Sequence, residues 1–344
     1  MGESSPHPST PTAATLARLG LGVLAAWTLA CGCSSKKSVT GTGDTGGTHL
    51  VVFASDRNQA AGQYALLLWD ADTQSLRAMP GINTNFSEHH PTITSDGLYV
   101  AFQSNRGAGD NIYFYYRGKP DQGTFEVDSI NRAEPESEPC FSGDGTMLTF
   151  VRGSSARRIH LFDNTTKKEL PLPGLDASGT YSDYSPSPNY DASLIAFVSD
   201  RNGNPDVFIY SRVLQHVLDL PKLTPLRSAG EDLDPYFTPS GQYLVFSSDR
   251  SGLPGVHDLY LMSFIAAPYG DTTLVQLNTN DSGVDKRHPA ISDNGSMIVF
   301  QSDRPSGQGR LDLWSYDRSS GLVSQGPNLS SAGDDIEPAL KWRY

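Results

Sequence analysis

The sequence predicts an all-β fold built from one repeated unit, and three observations support this prediction. Hydrophobic residues make up only 37% and charged residues 19% of the 344-residue chain, whereas 33 glycines and 23 prolines provide many turns. Short apolar segments of strand length recur along the chain. The same order of proline, turn, apolar segment and phenylalanine also returns at intervals of about 50 residues, which is typical of repeated β units.

The repeated unit is marked by the phenylalanines that end its apolar strand, which are Phe53, Phe102, Phe150, Phe197, Phe246 and Phe300. A proline stands eleven residues before each of the last five, at Pro91, Pro139, Pro186, Pro235 and Pro289. Between the two lies a turn, such as Ser95-Asp96-Gly97 or Asp293-Asn294-Gly295. Because Asp-Gly and Asn-Gly readily adopt the positive φ angles of tight hairpins, each unit is predicted to begin with strand, turn and strand.

A Ser-Asp-Arg triplet, or Ser-Asn-Arg in the second unit, follows the phenylalanine in every unit except the third, where Arg152-Gly153-Ser154 replaces it. A third apolar strand and a weaker fourth strand complete each unit, for example at residues 207–210 and 217–220. The triplets could form a repeated ligand site. We favour a network of salt bridges and turns between neighbouring units, because the triplet recurs in almost every unit.

Four short strands in about 49 residues predict one blade of a β-propeller, and residues 49–344 accommodate six blades. The first unit begins at its second strand, residues 50–53, and lacks the strand that carries the proline. The last segment, residues 335–342 with Pro338, is such a strand without a hairpin after it. We therefore predict a six-bladed β-propeller with four antiparallel strands per blade, closed by the C-terminal strand beside Val51 and Val52 in the first blade.

These motifs carry a family resemblance. The unit Asp-x-x-Pro, Ser-Pro-Asp-Gly, Phe-x-Ser-Asp-Arg and Asp-Ile-Tyr resembles the repeat of TolB-type propellers over residues 49–344. The resemblance implies a part in the integrity of the cell envelope. TolB carries an α/β domain before its propeller, whereas residues 31–48 here are rich in Gly, Ser and Thr and predict a flexible linker.

Residues 1–30 have the features of a secretory signal, with Arg18, an apolar run at 19–29 and the small Ala30. The run is short for a permanent span of about 30 Å of hydrocarbon. One interpretation is an ordinary signal peptide. We favour a bacterial lipoprotein, because residues 28–31 (Thr-Leu-Ala-Cys) resemble a lipobox with Cys31 as the lipid-bearing residue, and the polar segment after it suits a tether.

The lipoprotein resemblance also implies a location. No Asp follows Cys31, which favours sorting to the outer membrane, with the propeller facing the periplasm or displayed on the cell surface. Two or more acyl chains hold a protein stably on a membrane.

Ten of the twelve residues at two positions before the repeated prolines are the candidate binding residues, all of them acids or histidines, and Lys286 and Ser185 complete the pattern. Because side chains alternate along a strand, residues three and one before each proline should share a face. Those three before are Glu88, Glu136, Asp183, Asp232, Lys286 and Asp335, and those one before are His90, Glu138, Ser185, Asp234, His288 and Glu337. We predict that this shared face lines the central channel, and that its eight carboxylates make the mouth of the channel acidic.

Three interpretations of this acidic mouth stay open. The acids could simply pair with the arginines of the triplets. They could instead bind a cation, for which Ca²⁺ suits oxygen ligands, or accept a basic peptide. Alternatively, His90 and His288 could approach each other with Glu138 or Glu337 nearby and hold a transition metal, as in propeller-type polysaccharide lyases. The sequence contains no Gly-x-Ser-x-Gly motif, and Cys140 is predicted to be a buried small hydrophobe.

Composition narrows the class of function. With 38 acidic against 26 basic side chains the formal net charge is −12, which argues against a nucleic-acid partner. The three cysteines cannot build a disulfide framework. We therefore expect a monomeric, lipid-anchored envelope protein without enzymatic activity that binds a protein or peptide at the channel mouth. It should need no cofactor, with Ca²⁺ as an optional ligand. The alternative is a metal-dependent enzyme acting on an oligosaccharide.

Overall fold

The computed structural model describes residues 49–60, 62–175, 179–250, 252–264, 271–279 and 281–342. The predicted signal peptide, Cys31 and the predicted linker lie outside these residues. Within the described part of the chain, no helix has the length and apolar character needed to cross a membrane.

The described chain forms six antiparallel sheets of four strands each, the blades of a propeller. Blade 1 contains β1 (His49–Ser55), β2 (Ala65–Asp70), β3 (Ser75–Arg77) and β24 (Asp335–Trp342). Blade 2 contains β4 (Glu88–Ile93), β5 (Tyr99–Ser104), β6 (Asn111–Tyr116) and β7 (Thr124–Glu126). Blade 3 contains β8 (Glu136–Phe141), β9 (Met147–Arg152), β10 (Arg158–Asp163) and β11 (Lys168–Leu170).

The remaining three blades follow in chain order. Blade 4 contains β12 (Asp183–Pro188), β13 (Leu194–Ser199), β14 (Asp206–Ser211) and β15 (His216–Val217). Blade 5 contains β16 (Asp232–Phe237), β17 (Tyr243–Ser248), β18 (Asp258–Phe264) and β19 (Thr272–Gln276). Blade 6 contains β20 (Lys286–Ile291), β21 (Met297–Ser302), β22 (Asp312–Asp317) and β23 (Leu322–Ser324). Short 3-10 helices at Pro120–Gln122 and Pro221–Leu226 lie between strands.

The first blade is assembled from both ends of the described chain, as predicted. Strand β24 pairs antiparallel with β1, and the register places Val51 opposite Leu340 and Val52 opposite Ala339. The resulting strand order is β24-β1-β2-β3. This pairing covers the inner edge of β1, which would otherwise expose unpaired backbone groups.

The hydrophobic core is divided among the blades rather than gathered at the centre. Six apolar clusters each join two neighbouring blades, including one between blade 6 and blade 1. All six phenylalanines that mark the repeat are fully buried in these clusters. Because each blade contributes to two clusters, closing the ring gives blade 1 the same packing on both sides as the other blades.

The turns predicted between the first two strands of a blade are present. Gly97, Gly145, Gly241 and Gly295 take φ angles of 69–74° in four of them, and Ala192 occupies the same place in blade 4 with φ 55°. The fourth strands vary more. In blade 4 the fourth strand is only His216–Val217, and the Pro221–Leu226 helix follows it with Leu223 and Leu226 buried.

Candidate functional site

The first strand of every blade contains a β-bulge at the proline. In blade 2, His89 lies opposite Gln103 and Thr92 opposite Ala101, so His90 and Pro91 together face one residue of β5. The residue just before the proline has a positive φ in all six blades: 44° at His90, 52° at Glu138, 48° at Ser185, 52° at Asp234, 47° at His288 and 55° at Glu337. Bulges redirect side chains. Residues one and three before the proline therefore do not share a face.

The predicted acidic mouth is consequently wrong for the five carboxylates that lie three residues before the prolines. Their side chains are completely buried, and none lines the central cavity. Each forms an ion pair with an arginine of its own blade: Glu88–Arg106 at 2.8 Å, Glu136–Arg152 at 2.8 Å, Asp183–Arg201 at 2.8 Å, Asp232–Arg250 at 2.5 Å and Asp335–Arg57 at 2.7 Å. The structural interpretation of these five acids is the correct one.

The triplets form this ion-pair network, but mainly within blades rather than between them as expected. The arginine also stacks over the repeat phenylalanine, as Arg106 does over Phe102, and donates to a carbonyl of the segment arriving from the preceding blade, as to Ile82. In blade 3, Arg152 stands two positions closer to the repeat phenylalanine than the triplet arginines do. It still pairs with the equivalent acid, Glu136, and it donates to the carbonyl of Ile130. This explains how blade 3 dispenses with the triplet.

Blade 6 reverses the charge of this buried site. Lys286 takes the place of the acid, is fully buried, and contacts Asp258 at 2.8 Å and Asp281 at 3.3 Å. The triplet arginine, Arg304, then pairs with Asp281 at 2.5 Å. A buried cation at this position is thus compensated by carboxylates from outside the first strand.

The six residues immediately before the prolines do line the channel, and we call them the inner ring: Glu337, His90, Glu138, Ser185, Asp234 and His288, in order of blades 1 to 6. Together with the six prolines they surround a cavity of about 110 Å³. That volume accommodates several water molecules or one small polar group. Five predicted site residues, and Ser185 with them, therefore meet in one place.

Four residues that directly follow the repeated prolines lie between this cavity and a second one. Thr92, Cys140, Ser187 and Tyr236 line both this cavity and the second one, which has a volume of about 40 Å³ and lies towards the hairpin turns. Cys140 is a free thiol between the two cavities and is only partly buried, so the sequence prediction of a buried hydrophobe is too simple. Burial raises the pKa of the Cys140 thiol to about 12, which disfavours the reactive thiolate.

The inner ring alternates in chemistry around the channel. The odd-numbered blades supply carboxylates, and each accepts the backbone N–H of the inner-ring residue in the next blade. These bonds are His90 N to Glu337 Oε2 at 2.7 Å, Ser185 N to Glu138 Oε2 at 2.5 Å and His288 N to Asp234 Oδ2 at 3.1 Å. The ring thus has approximate three-fold repetition, and each acid joins two blades.

Each of these three carboxylates also has a cationic partner of its own. Arg157 Nη1 lies 3.1 Å from Glu138, Arg287 Nε lies 2.7 Å from Asp234, and His89 Nδ1 lies 3.3 Å from Glu337. Arg157 in turn stacks over Tyr184 at 3.9 Å. The channel mouth is therefore not strongly acidic, because its three remaining carboxylates are largely neutralised.

These contacts hold the two most buried acids of the inner ring in their charged forms. Burial alone would raise the pKa of Glu337, but the charge of His90 and the hydrogen bond and charge of His89 keep it well below its usual value. Burial likewise opposes ionisation of Asp234, and the charges of His288 and Arg287 outweigh it, so its pKa is also lowered.

The pKa values of His89 and His288 shift in opposite directions. Although burial opposes protonation of His89, its hydrogen bond to Glu337 and the charge of that acid raise its pKa. Burial lowers the pKa of His288, and the nearby Arg287 adds to this effect, while Asp234 only partly offsets it. Relative to a free histidine, the environment of His89 thus favours the charged form and that of His288 favours the neutral form.

Sequence reasoning missed the clamping residues Arg157 and Arg287 and left His89 out of the predicted site. The sequence does contain a signal for His89 and Arg287. The residues two before the proline are His89, Tyr184 and Arg287 in the even-numbered blades, and Ile336, Ser137 and Leu233 in the odd-numbered ones. Arg157 precedes its strand in a loop, and nothing in the sequence pattern marks it.

Metal binding has limited support from the geometry. Among the residues that the structure describes, no group of three or more His, Cys, Asp or Glu is arranged to hold a metal ion. His90 and His288 do approach each other, with ring centroids 6.2 Å apart. The acids beside them already have partners: Glu337 contacts the N–H of His90 and the ring of His89, and Asp234 contacts the N–H of His288 and Arg287.

We expect the replacement Glu337→Gln to lower the free energy of unfolding at pH 7 by about 1.5–3 kcal/mol, because a charged acceptor is lost from a buried site. Since folding lowers the pKa of Glu337, its ionised form stabilises the fold above the unfolded pKa of about 4.3, and this stabilisation is lost progressively as the pH falls below that value. Urea denaturation of both proteins at pH 7 and pH 3.5 should therefore show a smaller difference at pH 3.5.

The exposed Glu134 provides a matched control, because Glu134→Gln removes a carboxylate outside the ring. It should change the unfolding free energy by less than about 0.5 kcal/mol at either pH. A difference between Glu337→Gln and the parent protein that stays constant with pH would contradict the assigned role of this carboxylate.

The fold has counterparts among solved structures. TolB from Acinetobacter baumannii aligns with a TM-score of 0.62 and 18% identity over 86% of this chain and 67% of that one. A protein assigned as TolB from Agrobacterium tumefaciens aligns with a TM-score of 0.55 and 16% identity over 87% of this chain and 100% of that one. Kuenenia stuttgartiensis hydrazine synthase aligns with a TM-score of 0.59 and 15% identity over 87% of this chain and 48% of that one.

A puromycin-hydrolysing peptidase of Mycobacterium tuberculosis aligns at a TM-score of 0.51 and 13% identity, over 83% of this chain and 45% of that one. No protein-family model and no curated protein matches the sequence. At these identities the shared feature is the fold, which serves both TolB proteins and enzymes. The protein has a TolB-like six-bladed β-propeller.

Proposed function

We propose that this protein is a non-enzymatic lipoprotein of the cell envelope whose propeller is a docking platform for a protein or peptide. One observation carries the proposal: all six blades direct their inner-ring residues into a single cavity at one end of the channel. Six prolines and the interblade hydrogen bonds hold its walls, so a partner would meet a preformed site. The TolB-like fold supports the proposal without deciding it.

The site favours a narrow segment over a broad surface. A cavity of about 110 Å³ admits a side chain or a chain terminus but not a folded domain. The strong attraction for a basic peptide expected from eight acids is reduced, because five are buried in ion pairs and three are clamped. Binding should therefore depend on fit and on specific polar contacts within the inner ring.

The envelope location rests on the sequence before the propeller. The lipobox-like residues ending at Cys31 and the polar segment 32–48 support lipid anchoring at the outer membrane, with the ring facing the periplasm or the cell surface. Ca²⁺ could accompany binding only by displacing the N–H groups and cations that now satisfy the three carboxylates.

Blocking the cavity should abolish partner capture. His90 and His288 show that a ring side chain fits the bulge backbone, so Ser185→Tyr should fold while filling the cavity. We expect residues 34–344, crosslinked in an envelope extract, to retain a protein partner that the Ser185→Tyr variant loses by at least about tenfold. Mass spectrometry of the captured material provides the readout.

The control is Tyr190→Ala, which changes an exposed side chain at the hairpin end of blade 4 and should leave capture unchanged. Capture of no partner by the parent protein, or equal capture by both variants, would contradict docking at the cavity. Stoichiometric Mn, Fe or Zn in the purified protein that is lost in His90→Ala would instead support the metal-dependent enzyme acting on an oligosaccharide.

A further inference from the structure

Two imidazoles of the inner ring share their counter-charge with another cation. Glu138, Asp234 and Glu337 are each clamped by one cation, as described above. The basic groups that line the cavity are the imidazoles of His90 and His288. When both become protonated, Glu337 and Asp234 each face two cations, so the groups around the cavity carry more positive than negative charge.

The two imidazoles also face the same space. Their ring centroids are 6.2 Å apart at an angle of 60°, and each side chain is 30% exposed. One nitrogen of each ring points to an acid: His90 Nε2 lies 3.6 Å from Glu337, and His288 Nδ1 lies 3.5 Å from Asp234. Within the described part of the chain, no hydrogen bond reaches the other nitrogen of either ring.

We propose that His90 and His288 bind a carboxylate group of the docking partner, and that this binding is coupled to protonation of the imidazoles. The inference rests on the proposed function, because it names the group that the cavity recognises. Two nitrogens on separate rings suit the two oxygens of a planar carboxylate. Attraction between opposite charges is strengthened in a partly buried cavity, where water screens less.

Acids and cations both surround the imidazoles, and Glu337 acts on both rings. His90 on β4 faces Glu337 of β24 and neighbours His89, while His288 on β20 faces Asp234 of β16 and neighbours Arg287. Glu337 is shared between His89 and His90, and Asp234 is shared between Arg287 and His288, so neither acid serves its imidazole alone. An incoming carboxylate therefore supplies the counter-charge that the protonated rings need.

The direction of the pH dependence follows from this arrangement. Burial keeps His288 mainly neutral near neutral pH, so binding an anion must take up a proton. Affinity should rise as the pH falls from 7.5 to 5.5, and it should decline again near pH 4, where the ligand carboxylate itself becomes protonated.

The test uses residues 34–344, which contain the whole closed ring, and four small probes. These are N-acetyl-trialanine with a free C-terminus, the same peptide as its C-terminal amide, an N-acetylated and C-amidated Ala-Asp-Ala, and sodium acetate. Titrations followed by NMR of the histidine Cε1–H groups give both the dissociation constant and the midpoint of each imidazole. The two acidic peptides distinguish a terminal carboxylate from a side-chain carboxylate.

We expect at least one acidic peptide to bind about fivefold or more tightly at pH 5.5 than at pH 7.5, and to raise the titration midpoints of His90 and His288. The amide of trialanine should do neither. The variant His90→Gln with His288→Gln should lose this pH-dependent binding, whereas His216→Gln, at an exposed position on β15, should retain it. Acetate that binds as tightly as the peptides would show that the carboxylate alone is recognised, which also supports the proposal.

Two results would overturn it: equal binding of the acid and the amide at both pH values, or unchanged carboxylate binding in the double histidine variant. Either result leaves the docking platform intact if Ser185→Tyr still abolishes capture of the partner. Conversely, carboxylate binding without any captured partner would leave this site standing and contradict the platform.

Discussion

Replacing Arg250 by alanine is expected to lower the free energy of unfolding by about 3–5 kcal/mol, because it leaves the fully buried carboxylate of Asp232 without its counter-charge. The same side chain stacks over Phe246 and Tyr260 and donates to the carbonyl of Pro225 in the segment that arrives from blade 4. Several contacts are thus lost together. Urea denaturation followed by tryptophan fluorescence measures the change.

The control for this prediction is Arg132→Ala. Arg132 pairs with Glu169 at 3.0 Å, but its side chain is 56% exposed, so the loss should be below about 1 kcal/mol. In the double variant Asp232→Ala with Arg250→Ala no charge is stranded, and the combined loss should be smaller than the sum of the two single losses. A loss below about 1 kcal/mol in Arg250→Ala would show that the network is dispensable.

Deleting residues 335–344 should abolish cooperative folding altogether. Without β24, the edge of β1 is unpaired along Val51 and Val52, and the cluster between blades 6 and 1 loses Leu340. The ring would then be an open arc with an exposed apolar edge, which is prone to aggregate. Near-ultraviolet circular dichroism and gel filtration should show lost tertiary packing and large species, and a monomer with a cooperative melt would contradict the prediction.

Two leucine-to-alanine variants compare the packing of the closing strand β24 with that of the outer strand β23. Leu340→Ala removes a side chain that is 7% exposed and should cost about 2–5 kcal/mol while leaving the ring closed. Leu322→Ala changes a leucine that is 65% exposed on β23, and it should be nearly neutral. Equal destabilisation by both would mean that β24 packs no better than an outer strand.

The sequence was sufficient for the architecture because its signals are repeated and local. Turn residues such as Gly97, the buried phenylalanines and the lone strand around Pro338 each obey ordinary rules of hairpins and strand burial, and the fold confirms them. The closure of the ring also follows from the sequence, because the first unit lacks its first strand before residue 50 and a matching strand occurs at residue 335. The fourth strand of blade 4 was less predictable, since weak edge strands carry little apolar pattern.

The candidate site was only half predictable, because one backbone feature broke the rule of alternation. His90 and Glu138 are not glycines, so the sequence gives no sign of their positive φ angles. The bulge at these residues shifts the strand register by one residue. Residues such as Glu88 and Glu136 then enter the blade rather than the channel. The cation Arg157 reaches the ring from a loop, so only the folded chain reveals that it neutralises Glu138.

The split construction of blade 1 also has a consequence for biosynthesis. Glu337, which stands between the two imidazoles, belongs to a strand that leaves the ribosome after all the other strands of the propeller. A truncated translation product can contain five complete blades and still lack one wall of the cavity. Recognition of a ligand at this site would thus report that all six blades had been synthesised and that the ring had closed.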